Sequence, residues 1–292
     1  MITVLNDFDL QMCIKEALKG NREALNALIE RIHPLIYNLA IRMLQNLEDA
    51  EDAVQEILMK VISHLDGFRG EAAFTTWVYR IASNHLLTLS QHHLARQETS
   101  FEEMEEKLNL SLALGEASVP EQYEFQTLVA EVKISCSLAM LMCLGYELRI
   151  ALILGEIFQV NAAEAAYILD ISSTAYRKRL SRARMQLRTF IRNQCGLVNP
   201  ENPCRCSKHV GNKLRFGLLN PNKLAYTDLL NNDEVKRQAA GYCEEMEEVR
   251  REIGLIRAIP QYEMPLQMLD SMKQLLNNPQ YPILHHTPTD LL

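Results

Sequence analysis

Residues 161–188 read NAAEAAYILDISSTAYRKRLSRARMQLR, and their pattern decides the fold: a short helix, a turn and a longer cationic helix. In the second half Tyr176, Leu180, Ala183, Leu187 and Ile191 recur at steps of four and three, which places them on one apolar stripe facing a core. The other faces carry Arg177, Lys178, Arg179, Arg182, Arg184, Arg188 and Arg192, and no Asp or Glu lies between Ile171 and Arg192. A solvated helix ordinarily mixes charge signs, so this face points to phosphate. Ser172 and Ser173 are helix-capping types, and Asp170 tolerates the backbone angles of a tight turn. The Ala-rich segment 162–169 permits close packing of the pair. Together these are the parts of a helix-turn-helix, whose second helix enters the major groove with its N-terminal residues towards the bases. The plainer reading is an Arg-rich surface helix that binds no DNA.

Outward from this element, helical spacing of apolar residues recurs over 8–19, 22–44, 50–65, 74–89, 122–144 and 148–160, and sustained alternation of the strand kind is absent. The expected fold is all-α. Of the 292 residues 48% are hydrophobic, ample for real cores, and the length fits two domains or a little more. The net charge of -7 looks wrong for a DNA binder, but the charges are segregated. Nine Glu against the single Lys107 occupy 98–131, whereas basic residues concentrate between Arg177 and Lys223. Such asymmetry offers one face to phosphates and keeps others away from them. The Glu-rich, weakly periodic stretch ending at Pro120 reads as a linker. A second break, 195–223, is rich in Asn, Pro, Gly and Lys and precedes two expected helices, 225–259 and 265–277. No run of eighteen apolar residues and no signal-peptide pattern is present, so no membrane association is expected. Seven cysteines without an export signal suit reduced thiols in a cytoplasm.

The N-terminal half carries the more specific pattern. Residues 49–87 read DAEDAVQEILMKVISHLDGFRGEAAFTTWVYRIASNHLL, with an acidic helix start (Asp49, Glu51, Asp52, then Gln55 and Glu56), Phe68-Arg69-Gly70, Phe74, Thr76-Trp77, Tyr79-Arg80-Ile81-Ala82 and Asn84. This stretch resembles the polymerase-binding and promoter-melting domain of extracytoplasmic-function (ECF) sigma factors of bacterial RNA polymerase. The helix-turn-helix, with Arg179-Leu180-Ser181-Arg182-Ala183-Arg184, resembles the same family's DNA-reading domain, and the resemblance covers about residues 10–192. It implies a helical region-2-like domain over 1–95, an acidic linker over 96–120 and a region-4-like domain over 121–192; beyond Arg192 it ends, and 193–292 is read from its own residues as a Cys-containing helical extension. It also implies core RNA polymerase and promoter DNA as partners, with an anti-sigma factor as a further one. A transcription regulator that binds DNA without polymerase is the alternative. No nucleophile–base constellation, phosphate-cradling Gly loop or paired carboxylates marks an enzyme.

In the resemblance, Ala53, Ile57, Val61 and Leu65 pack inwards while Asp52, Gln55, Glu56 and Lys60 face the polymerase; a plain solvated face is the other reading. Arg80 and Asn84 are the downstream-element contacts, on a phosphate and a base edge respectively. Trp77 is read as core, with base stacking as the second reading. The family's basic helix end is replaced here by HLLTLSQHHLARQ, so His85, His92 and His93 either assist the grip or are ordinary surface histidines. For the upstream element Ser173, Thr174, Arg177 and Lys178 lie in the first turns of the recognition helix and are assigned to bases, and Arg179, Arg182 and Arg184 to phosphates.

Cys195, Cys204, Cys206 and His209 fall within fifteen positions. Three thiolates and an imidazole make a tetrahedral set for zinc or another thiophilic metal, with metal–sulfur bonds of about 2.3 Å. A redox-active thiol pair and inert loop thiols are the other readings. Cys13, Cys136 and Cys143 sit on apolar helix faces as core residues, and Cys243 has no assignment. The extension is expected to regulate in cis, its Glu244, Glu245, Glu247 and Glu248 covering the recognition helix or touching polymerase.

Overall fold

The computed structural model describes residues 7–93, 99–229, 254–257 and 259–276, and these residues are helical apart from turns and one isolated backbone bridge, Cys195 with Cys204. Four helices come first: α1 (Asp7–Leu18), α2 (Arg22–Leu44), α3 (Leu47–Ser63) and α4 (Phe74–His93). After α5 (Phe101–Ala113), α6 (Phe125–Met142) and α7 (Tyr146–Leu152) lead through a π turn, Ile153–Ile157, to the helix-turn-helix pair α8 (Ala162–Leu169) and α9 (Ser173–Gln194). The extension contributes α10 (Cys206–Arg215), α11 (Gly254–Arg257) and α12 (Leu266–Leu276). Glu244, Glu245, Glu247, Glu248 and Cys243, with most of the helix expected over 225–259, lie outside the described residues.

Short polar caps fix where helices begin. Asn21, Asn46, Asn161 and Ser172 each accept first-turn backbone N–H groups at 3.0–3.2 Å. Such a cap is worth about 1 kcal/mol. The periodicity stated above then sets the packing: Ala53, Ile57, Val61 and Leu65 of the α3 row are buried, as are Tyr176, Leu180, Ala183, Leu187 and Ile191 of α9. A Cβ on Gly155 would stand 2.6 Å from the Tyr176 hydroxyl, so glycine permits the close approach of the π turn to α9. Among the described helices α6 alone has the length and apolar content of a membrane span, and most of it is buried against its neighbours.

One continuous cluster of buried side chains runs through both halves, from Leu28 and Ile57 to Leu152, Ile168 and Leu187, and takes in Ile256, Tyr262 and Met272 of the extension. Arg149, wholly buried, joins the halves, donating to the carbonyls of Met43 (2.6 Å) on α2 and of Leu141 (2.9 Å), Met142 (3.1 Å) and Leu144 (3.0 Å) at the end of α6.

Where composition predicts a linker, the structure has α5. Ser100 caps it by accepting from Glu103 N–H (3.1 Å), Phe101 meets Phe190 with ring centroids 5.0 Å apart, and Met104 is buried beside Cys143. The extension holds its other end: Asn212 donates to the carbonyls of Ser111 (2.9 Å) and Gly115 (2.7 Å). A Cβ on Gly211 of α10 would stand 1.9 Å from the Ala117 carbonyl oxygen, so the loop after α5 lies directly on α10. These partners are about a hundred positions away in sequence, and the narrow buried face of α5 leaves its glutamates in water.

Candidate nucleic-acid interface

The helix-turn-helix geometry follows from its turn. Asp170 sits in the left-handed region (φ 54°, ψ 44°), ending α8, and Ser172 then starts α9 by accepting from Ala175 N–H at 3.1 Å. With the apolar stripe buried, Thr174, Arg177, Lys178 and Arg182 are exposed on the opposite side and Ser173 is half-buried at the helix start. The first turns of α9 therefore carry hydroxyl and cationic side chains on one exposed face.

Two of the cations assigned to phosphate have intramolecular partners instead. Arg179 pairs with Glu147 at 2.8 Å. Arg184 pairs with Glu156, whose side chain is 1% exposed and also receives Arg257 of the extension at 2.7 Å. A buried carboxylate demands such neutralisation, so in this conformation Arg184 compensates Glu156. Sequence separations of 28 and 32 residues hide both pairs from a pattern read along one helix.

In the first half, α4 packs on α8. Arg80 is placed differently from the expectation: it pairs with Asp170 at 2.9 Å, donates to the Tyr167 carbonyl at 3.2 Å and lies 4.7 Å from the Tyr167 ring centroid. The side chain expected on a promoter phosphate is thus held by the turn between α8 and α9. Asn84, by contrast, is exposed and lines an open groove with Lys60, His64, Trp77, Ile81 and Thr88. Trp77 is half-buried against Phe68 (5.6 Å) and Phe74 (5.7 Å), with its remaining surface on that groove.

His85 is no surface histidine. It is buried, 2.5 Å from Lys60 Nζ through Nδ1 and 3.5 Å from Glu56 through Nε2. Burial, and then Lys60, hold its pKa below the ordinary imidazole value against the pull of Glu56. It therefore positions Lys60 and Glu56 and is inaccessible to phosphate. The side chains of His92 and His93 lie outside the described residues. On α3, Asp52 and Glu56 are exposed and Gln55 is half-buried, leaving an acidic edge for a partner.

The cysteine region is only partly gathered. Cys204 Sγ stands 3.3 Å from His209 Nε2, His209 Nδ1 meets Ser111 Oγ at 2.8 Å, and Cys195 lies beside Cys204 across the bridge. Cys206, the first residue of α10, packs against the apolar cluster of Val132, Val210 and Leu224 and is near enough to Cys204 to help raise its thiol pKa. Among the described residues no group of three or more His, Cys, Asp or Glu side chains is placed to hold a metal ion. Burial pushes the Cys204 thiol up to about 12 and holds the His209 imidazole below its ordinary value, so the pair is thiol and neutral imidazole at neutral pH. Cys136 and Cys143 are likewise pushed up to about 12 by burial, in keeping with core roles.

Residues 28–97 match the sigma-70 region 2 family. A region 2 helical unit joined to a helix-turn-helix defines a factor that directs RNA polymerase to promoters. The chain is 31% identical over 178 residues to the ECF RNA polymerase sigma-E factor of Escherichia coli K12, spanning 60% of this chain and 90% of that protein. With the sigma-E factor of Haemophilus influenzae it shares 27% over 184 residues, 62% of this chain and 94% of the other. The chain belongs to the ECF RNA polymerase sigma factors. The solved complex of CnrH with the cytosolic domain of CnrY superposes with a TM-score of 0.43 at 22% identity, covering 62% of this chain and 95% of that one.

Proposed function

We propose that this sigma factor, held on core polymerase by the acidic edge of α3 (Asp52, Gln55, Glu56), reads its promoter at two places. Upstream, Ser173, Thr174, Arg177 and Lys178 meet base edges and Arg182 a phosphate. Downstream, Asn84 and the groove beside Trp77 receive an unpaired base, and Arg80 reaches the backbone once it leaves Asp170. Catalysis stays with the polymerase, and the chain acts in the cytoplasm, where the polymerase and promoter are.

The observation that carries this reading is the exposure of Thr174, Arg177, Lys178 and Arg182 on a capped helix whose opposite face is buried. A cationic surface without partners among the described residues suits a polyanion. The test is transcription by purified core polymerase from a promoter library with and without the chain, followed by Asp52→Ala with Glu56→Ala and by Arg177→Ala. Loss of polymerase co-purification in the first pair and altered promoter choice in the second are expected. Polymerase binding that survives the α3 pair unchanged removes that assignment.

A further inference from the structure

Residues 254–257 and 259–276 touch both halves of the molecule at once. On the first half, Asn38 of α2 grips the backbone of Tyr262 in both directions, its Oδ1 accepting from Tyr262 N–H at 2.7 Å and its Nδ2 donating to the carbonyl at 2.8 Å. Next to it Arg42 donates to the carbonyls of Ile259 (3.1 Å) and Pro260 (2.6 Å), and Lys273 pairs with Glu30 at 2.5 Å. On the second half Arg257 shares Glu156 with Arg184 of the recognition helix. Between these points Ile256, Ile259, Tyr262, Met264 and Met272 are buried. This is how an extended peptide is bound: its backbone is hydrogen-bonded by side chains and its apolar residues fill pockets.

We infer that the seam between α2 and the π turn is a peptide-binding groove occupied by this chain's own segment 254–276, which clasps the two DNA-reading halves together and restrains promoter use until it is released. The inference rests on the promoter contacts proposed above, since the closed arrangement keeps Arg80 on Asp170. The groove is built to open. Arg42 is wholly buried, yet its hydrogen-bond partners are neutral oxygens, and its Nε has none. Burial lowers its pKa to about 10. Arg42 also lies over the rings of Phe158 (5.7 Å) and Tyr262 (5.4 Å), but among the described residues no carboxylate pairs with it. A buried cation without a carboxylate is costly, and that cost offsets part of what the segment's contacts contribute, so a competitor need supply only the difference.

The experiment uses full-length protein. Arg257→Glu places a carboxylate against Glu156 from an exposed position outside both DNA-reading surfaces, and Tyr262→Ala empties the pocket beside Asn38. Hydrogen exchange of 259–264 reports opening, circular dichroism reports folding, and promoter-specific transcripts with core polymerase at subsaturating chain report activity. Either variant should exchange faster over 259–264 and give about tenfold more transcript, in proportion to the rise in the open fraction. Faster exchange without more transcript overturns the clasp as a restraint, and unchanged exchange in both variants overturns these contacts as what holds it. If wild type and variants alike neither bind core polymerase nor direct transcripts, the promoter-reading assignment itself fails, a result distinct from either.

Discussion

Replacing Arg149 by methionine keeps an apolar stem of similar length and deletes the guanidinium that satisfies four carbonyls, those of Met43, Leu141, Met142 and Leu144. Hydrogen bonds to a charged donor contribute about 1.5–3 kcal/mol each net of exchange with water, so the four together set an upper bound of roughly 6–12 kcal/mol on the loss. The guanidinium is fully buried, and its own desolvation, several kcal/mol, disappears as well. The net loss is about 3 kcal/mol. For a chain of this size each kcal/mol moves the midpoint about 2–4 °C, so Tm should drop by about 6–12 °C. Thermal and urea unfolding followed by far-UV circular dichroism measure it. Arg149→Lys should fall between, because one ammonium with three donors does not span four carbonyls. A methionine variant within about 1 kcal/mol of wild type refutes the reasoning that this side chain ties α2 to the end of α6.

Other perturbations follow from the same geometry. Burial, the first cause in each case, holds His33, His85 and His209 below the ordinary imidazole pKa of 6.5; the unfolded chain therefore takes up protons first, and stability present above about pH 6.5 is lost as pH falls through the folded values. The urea midpoint should fall between about pH 7.5 and 5.5, and His85→Gln should flatten that slope; a midpoint rising on acidification contradicts it. Gly211→Ala drives a methyl against the Ala117 carbonyl and should cost about 1–3 kcal/mol while opening the loop after α5 to proteases, as limited digestion shows. Arg177→Ala should relax base preference upstream with little loss on a scrambled duplex, compared by anisotropy titration of the polymerase complex; equal losses on both sink the base-contact assignment.

Much of this was legible in the sequence because it depends on near neighbours. The α9 stripe, the Ser172 cap, the αL turn at Asp170 and the inward row of α3 are set by spacings of one to four residues, and the structure has each of them. What the sequence hid involves partners far apart along the chain. Arg80 and Asp170 are ninety positions apart, Asn38 and Tyr262 more than two hundred, and no periodicity relates them. The Glu-rich stretch read as a linker because its inward face is only Phe101, Met104 and a few others, and the residues ordering it belong to α9 and α10. His85 read as surface because its burial depends on α3 crossing α4. In the Cys195, Cys204, Cys206 and His209 set, Cys195 and Cys206 both lie near Cys204, and His209 reaches Ser111 of α5, a contact about a hundred positions away that the local spacing does not show.

The central claim is that this chain selects promoters for RNA polymerase through two DNA-reading surfaces. Its most direct test is transcript mapping with purified core polymerase over a library in which upstream and downstream elements are varied independently. The account predicts discrete start sites that appear only with the chain present and that depend on both elements, with Arg177→Ala altering only the upstream dependence and Asn84→Ala only the downstream one. Start sites unchanged by the chain, or dependence on a single element, would contradict it.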